Sequence, residues 1–166
     1  MSLMCVAVVG GALATAGSRA TWFVVSERSA AVSIPGQGTF RFPARVVHLS
    51  GGDLSSAVTG TALLLLIFSG LGFLVGPRAR AVLLVAIMAG SGVLIWVSAR
   101  PSRSDAITAA LQTKRFSTAH PEVRDGAGRA ISIAGAAAAG VTALVAFPLA
   151  ARVGKVRMPE SGPEER

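Results

Sequence analysis

The sequence predicts an all-α membrane protein of four transmembrane helices, and three observations predict it. Apolar stretches run over about 3–25, 54–76, 81–98 and 130–149, and together they hold one charged residue, Arg19. A hydrocarbon core needs ~20 apolar residues in helical form to cross it, and backbone polar groups in lipid must pair within their own segment. Only 14% of the 166 residues are charged, against 52% hydrophobic, where soluble domains carry about 25% charged residues. The charges gather in loops and at the ends of the apolar stretches, where they set topology and meet lipid headgroups.

The first span is read as a helix over 3–25. Arg19 near its end extends its head to the interface, and Trp22 suits the headgroup belt. Ala12-Leu13-Ala14 and Ala14-Thr15-Ala16 look like signal-peptide cleavage sites, but no positive side chain precedes the run, so the helix is expected to be retained. In loop 26–53, Ala31-Val32-Ser33-Ile34 and Thr39-Phe40-Arg41-Phe42 have strand character around the turn Pro35-Gly36-Gln37-Gly38. Arg45-Val46-Val47-His48-Leu49 offers a third short strand. A small β-hairpin or meander on the bundle follows. Asp53 is expected as the N-cap of the second span.

Gly76-Pro77-Arg78-Ala79-Arg80 joins spans two and three, and so short a link makes an antiparallel hairpin. Span three stops at Trp96 and Arg100-Pro101. In loop 99–129, Ser104-Asp105 caps a short amphipathic helix with Ile107, Ala110 and Leu111 on one face, fit for the membrane surface. His120-Pro121 breaks it, and Pro121 or Asp125-Gly126 leads into span four. The organisation expected is a single membrane domain, 1–152, with a disordered cytoplasmic tail, 153–166.

Arg78 and Arg80, and the Arg152–Arg157 cluster, lie hard against helix ends. They place both termini on the cytoplasmic side of the cell membrane, with loops 26–53 and 99–129 extracytoplasmic. The raw count of basic residues points the other way, but over longer loops.

Net charge is +8, yet no basic stripe with interleaved aromatics marks a nucleic-acid surface. The single cysteine, Cys5, leaves no intrachain disulfide. The two histidines, His48 and His120, sit in different loops at no metal-ligand spacing. No nucleophile motif or phosphate loop is present. No enzyme, cofactor or metal is therefore expected. No Asp, Glu, Lys or His lies in the centre of a span, which argues against an ion-coupled pump acting alone. Gly72 and Gly76 form a G-x-x-x-G pair, with looser versions at Gly10/Ala14, Ala86/Gly90 and Gly135/Ala139. Such residues let helices approach closely, inside one bundle or in a homo-oligomer.

The Gly/Ala-rich first span closing in Ala16-Gly17-Ser18-Arg19-Ala20-Thr21-Trp22 and the β-prone loop returning through Ser50-Gly51-Gly52-Asp53-Leu54 carry a resemblance. With the tight basic turn and the third Gly/Ala-rich span, they resemble the tryptophan-associated transmembrane proteins of actinobacteria. The chain departs from that group in its tail, with Met158-Pro159 and no tyrosine. The resemblance implies a four-span membrane protein, accessory to the handling of aromatic amino acids or their precursors.

The reading that follows is a non-enzymatic accessory or interaction protein whose loops meet a membrane-protein partner or lipid. Phe40, Arg41, Phe42, Val46 and Val47 offer a strand edge to a partner. Arg19, Trp22, Gly72 and Gly76 are the other interface candidates. The alternative is a small-molecule permease or transporter subunit for an aromatic compound, using Thr59, Thr61, Ser69, Ser91, Ser132 and Thr142 as its polar midspan positions.

Overall fold

The computed structural model describes residues 2–27, 30–36, 38–100, 104–114, 116 and 122–155. Its elements are α1 (Ser2–Arg19), β1 (Thr21–Glu27), β2 (Ala30–Ile34), β3 (Gly38–Phe42), β4 (Arg45–Ser50), α2 (Gly51–Leu54), α3 (Ser56–Leu71), α4 (Pro77–Ala99), α5 (Ser104–Thr113), β5 (Glu122–Asp125) and α6 (Ala127–Lys155). The described residues are mostly helical with a small amount of sheet. Helices α1, α3, α4 and α6 close a ring in which α1 packs on α3 and α6, and α4 packs on α3 and α6. Pro77–Ala99 and Ala127–Ala150 are long and apolar enough to cross a membrane, while Leu3–Arg19 and Ser56–Leu71 are shorter apolar helices.

Small residues set the tightest packing. A Cβ on Gly10 would stand 2.8 Å from the backbone of Ala139, and one on Gly17 or Gly135 would overlap backbone atoms of Ser132 or Ala14. Gly10 thus meets the later part of α6 and Gly17 the earlier part, so the two helices run antiparallel. Ala14 and Ala139 fill the seam, and Ala7, Ala136 and Ala143 are fully buried in the bundle as well. Gly11 faces the other way, and a Cβ there would lie 2.9 Å from Leu66 Cα on α3. Such contacts supply the dispersion that holds helices together where no hydrophobic drive exists between them. Leu65, Leu84, Ile87 and Leu94 complete the interior on the α3–α4 side.

The first helix is shorter than expected. It ends at Arg19, and Thr21–Glu27 forms a strand. The run Thr21-Trp22-Phe23-Val24-Val25 is apolar enough to extend a span, but its β-branched and aromatic side chains favour a pleated surface. Hydropathy alone does not separate those outcomes. The first loop also differs from a simple meander. β2 and β3 pair as a hairpin from Ala30↔Phe42 to Ile34↔Gly38, with Gly36 and Gly38 at positive φ of 82° and 91°. β4 instead joins β1, and the order is β4-β1-β5, antiparallel throughout. Strand β5 was not foreseen, since Glu122-Val123-Arg124-Asp125 has no apolar alternation. It forms because β1 leaves an open edge for it.

The second long helix stops at Leu71, short of the expected 76, while the third and fourth extend past their expected limits, to Pro77–Ala99 and Ala127–Lys155, the last running into the segment expected to be disordered. The apolar face of α5 turns inward, with Ala110 and Leu111 buried and Ile107 packed against the core. His120, Pro121 and the tail beyond Lys155 lie outside the described residues.

Gly135→Val should lower the thermal unfolding midpoint in mild detergent by the equivalent of at least about 1–3 kcal/mol of overpacking. Gly60→Ala should leave it unchanged or raise it by the equivalent of up to about 1 kcal/mol, because a Cβ there meets open space. Equal midpoints for the two variants would refute the packing assigned to the α1–α6 seam.

Candidate functional site

The end of the bundle where α1 and α4 finish and α3 and α6 begin carries the sheet, α2 and α5. Ser50 caps α2, its hydroxyl accepting from the Asp53 N–H at 3.3 Å while the Asp53 carboxylate accepts from the Ser50 N–H at 2.8 Å. This reciprocal pair satisfies two backbone donors at once. Asp53 is therefore the third residue of α2, not the cap of the long helix. Ser55, in extended backbone, separates α2 from α3.

Lys114, just past α5, donates to the Asp53 carboxylate at 2.9 Å and to the His48 carbonyl at 2.8 Å. One ammonium thus ties the second loop to both β4 and α2. Burial pushes the Asp53 carboxyl up, but the Ser50 N–H, the Lys114 ammonium and the Ser50 hydroxyl outweigh it and hold the group below the usual carboxylate range.

Trp22 sits under the sheet, 3% exposed. Its ring packs where a Cβ on Gly51 would fall, and its Nε1–H donates to the Gly17 carbonyl at 2.8 Å. That bond satisfies one of the orphan carbonyls at the end of α1. Trp22 is therefore a core residue of this end rather than a member of a headgroup belt. Trp96 has the exposed position instead, 57% open, with the Arg100 guanidinium 3.5 Å over its ring.

Pairing places Phe23, Val25, Val47 and Leu49 on the inner face of the three-stranded sheet. Val24, Ser26, Val46, His48, Glu122 and Arg124 form the outer face. There Arg124 donates to Glu122 Oε1 at 2.8 and 3.2 Å. Val46 stands 55% exposed on β4, which is an edge strand.

The other expected interface residues fall as follows. Arg19 is exposed at the last position of α1. Phe40, Arg41 and Phe42 belong to β3 and pair with Val32, Ala31 and Ala30. They therefore lie in a different sheet from Val46 and Val47. Gly72 is the C-cap of α3, with Met4 Cε packed where its Cβ would be, and Gly76 is the N-cap of α4 with open space around it. The pair thus straddles a turn and shares no helix face.

Two of the polar midspan hydroxyls serve the backbone of their own helix. Ser69 donates to Leu65 at 2.7 Å and Thr142 to Ala138 at 2.7 Å. Ser132 reaches the Ala14 carbonyl at 3.4 Å, while Thr59, Ser91 and Ser98 have buried hydroxyls without a protein partner.

Two basic residues with structural roles were missed. Arg129 donates to the carbonyls of Ser98, Ala99 and Arg100 at 2.7, 3.0 and 3.3 Å, closing the C-terminus of α4. Arg80 does the same for the end of α3, donating to Gly72 and Val75 at 2.9 and 3.3 Å. The Arg129 contact spans about thirty positions in sequence, and no local signal announces it. Among the described residues no group of three His, Cys, Asp or Glu converges to hold a metal ion.

The family model for tryptophan-associated transmembrane proteins matches residues 4–161. The chain belongs to that family. A search of curated proteins and one of solved structures each give no significant match. Membership makes this an integral membrane protein of the family and fits the apolar α4 and α6. The match runs through the sheet, α2 and α5 as well as the helices.

Ser50→Ala should cost about 1 kcal/mol through loss of the cap. Asp53 is depressed in the folded state, so its contribution is full above the ordinary carboxylate value. It fades as pH falls through the lower folded value. Thermal unfolding of wild type and Asp53→Asn at neutral and strongly acidic pH checks this. The gap between them should close in acid.

Proposed function

We propose that the chain is a four-span protein of the cell membrane, with both termini cytoplasmic. It would act without catalytic chemistry, as an accessory protein whose extracytoplasmic sheet receives a partner. The observation that carries this reading is the set of large apolar side chains that all four long helices turn outward. Glycine, alanine and serine fill the α1–α6 side of the interior, while Val6, Val9 and Leu13 on α1 and Leu63, Leu64 and Ile67 on α3 point outward. Val82, Val85 and Val93 on α4 and Val141, Leu144 and Val145 on α6 do the same. A contiguous apolar belt of this kind is costly in water and natural in lipid.

At 1.5 Å per residue, α1 is about 27 Å long and α3 about 24 Å. Each falls a few ångströms short of a core of about 30 Å, a mismatch that local thinning accommodates at modest cost. Arg78 and Arg80 beside the short turn support a cytoplasmic position for that end. On the other side, β4 offers an open backbone edge with Val46 exposed on it. A partner strand added there would gain ladder hydrogen bonds.

Single cysteines at Val46 and Leu74, in a Cys5→Ser background, test the arrangement. Leu74 is 83% exposed in the α3–α4 turn. A membrane-impermeant maleimide on intact cells should label Val46→Cys and spare Leu74→Cys until the membrane is opened. The reverse pattern would invert the topology, and release of the protein by alkaline carbonate would end the membrane reading. A photo-crosslinker at Val46 should trap one stoichiometric partner, and crosslinking to lipid alone would remove the accessory role.

A further inference from the structure

The end opposite the sheet holds a cavity of about 260 Å3 among the starts of α1 and α4 and the end of α6. Met4, Pro77, Arg80, Leu84, Ala146 and Leu149 line most of it. Among the described residues its wall is aliphatic apart from the Arg80 guanidinium. Met4 and Leu84 are buried at its base, while Pro77 and Leu149 are exposed at its mouth.

The charge at this end is one-sided. Every carboxylate among the described residues (Glu27, Asp53, Asp105, Glu122 and Asp125) belongs to the sheet end. Arg78 and Arg80 stand in the first turn of α4, which has no acidic residue there and no side-chain cap. A helix N-terminus carries partial positive charge, so cations at that place oppose the helix dipole. An anion relieves both at once. Arg80 is held ready for it, since two of its donors are fixed on the Gly72 and Val75 carbonyls. A guanidinium has five N–H donors in a rigid fork, and the rest remain for a ligand.

We propose that this end binds one anionic phospholipid, its phosphate on Arg80 at the α4 N-terminus and part of one acyl chain in the cavity. The occupant follows from the chemistry. A fixed guanidinium beside an aliphatic slot matches an anionic amphiphile. The volume equals about nine waters and falls short of the roughly 300 Å3 at which sites for whole small ligands begin. It therefore suits a segment of a chain whose remainder stays in the bilayer. The helix ends put Arg80 at headgroup depth if the four-span reading holds, and the proposal rests on that reading.

The test is native mass spectrometry of the full chain in mild detergent, with dioleoylphosphatidylglycerol and dioleoylphosphatidylcholine offered in equal amounts. One phosphatidylglycerol should be retained in preference to phosphatidylcholine. Arg80→Gln should reduce that preference about fivefold, the worth of one basic residue at a charged lipid surface. Because Arg80 also closes the α3–α4 turn, Ala146→Phe provides a second variant. It fills the slot, leaves every cation in place, and should reduce retention similarly while the unfolding midpoint without lipid holds. Arg124→Gln at the sheet end should change nothing. Equal retention of the two lipids, or full retention in Ala146→Phe, would overturn the proposal. So would displacement by millimolar inorganic phosphate, which would mark a phosphate site without an acyl slot. Preference seen only after removal of residues 156–166 would make the acidic tail the native occupant, and it too would overturn the proposal. Resistance to carbonate extraction with no lipid preference would sink the lipid site and leave the four-span reading standing.

Discussion

The backbone contact between α1 and α6 is the constraint from which the rest of the protein follows. Gly10, Gly17 and Gly135 leave no room for a side chain between the two helices. The antiparallel pair therefore reaches the sheet end with its backbones nearly touching. There Gly128 lies against Ala20 and Gly126 against Thr21, and the Gly126 N–H donates to the Trp22 carbonyl at 2.7 Å. β1 leaves α1 and β5 enters α6 at that same place. Their pairing, from Phe23↔Asp125 to Ser26↔Glu122, continues the helical seam in extended form. The sheet is thus an outgrowth of the bundle, and β4 completes it on the free side of β1.

This origin explains how far the fold was legible. Apolar run length marked four long helices, because it needs no knowledge of neighbours. The tight α3–α4 turn was equally local. What failed was the boundary at Arg19, where an apolar run changes from helix to strand with no polar break. The change becomes visible only when β4 and β5 are known to be beside Thr21–Glu27. Strand β5 was invisible for the same reason, since its pairing is decided by β1, about a hundred positions away. Ser50-x-x-Asp53 could have been read as a capping box, which would have moved the helix start back to Gly51.

The expected partner surface shows a further limit of local reading. Phe40–Phe42 and Val46–Val47 are neighbours in sequence, and a meander would have made one surface of them. The structure divides them between a hairpin and the main sheet because β4 pairs with β1 and not with β3. Within β4 the period of two then separates Val47, turned inward beside Val25, from Val46, turned outward beside Ser26. The small-residue pairs divide in a comparable way. Gly10/Ala14 and Gly135/Ala139 form the seam, while Gly72 and Gly76 shape a turn.

The two ends of the bundle are held by the same device with opposite electrostatic results. Arg129 closes α4 at one end and Arg80 closes α3 at the other, each donating to carbonyls that the helix leaves unpaired. At the sheet end two other cations, Lys114 and Arg124, have acidic partners within 3 Å. At the far end no described residue supplies such a partner. Arg80 also sits in the first turn of α4, so the charge that stabilises the end of α3 disfavours the start of α4. Anionic headgroups at a membrane surface would supply the opposing negative charge.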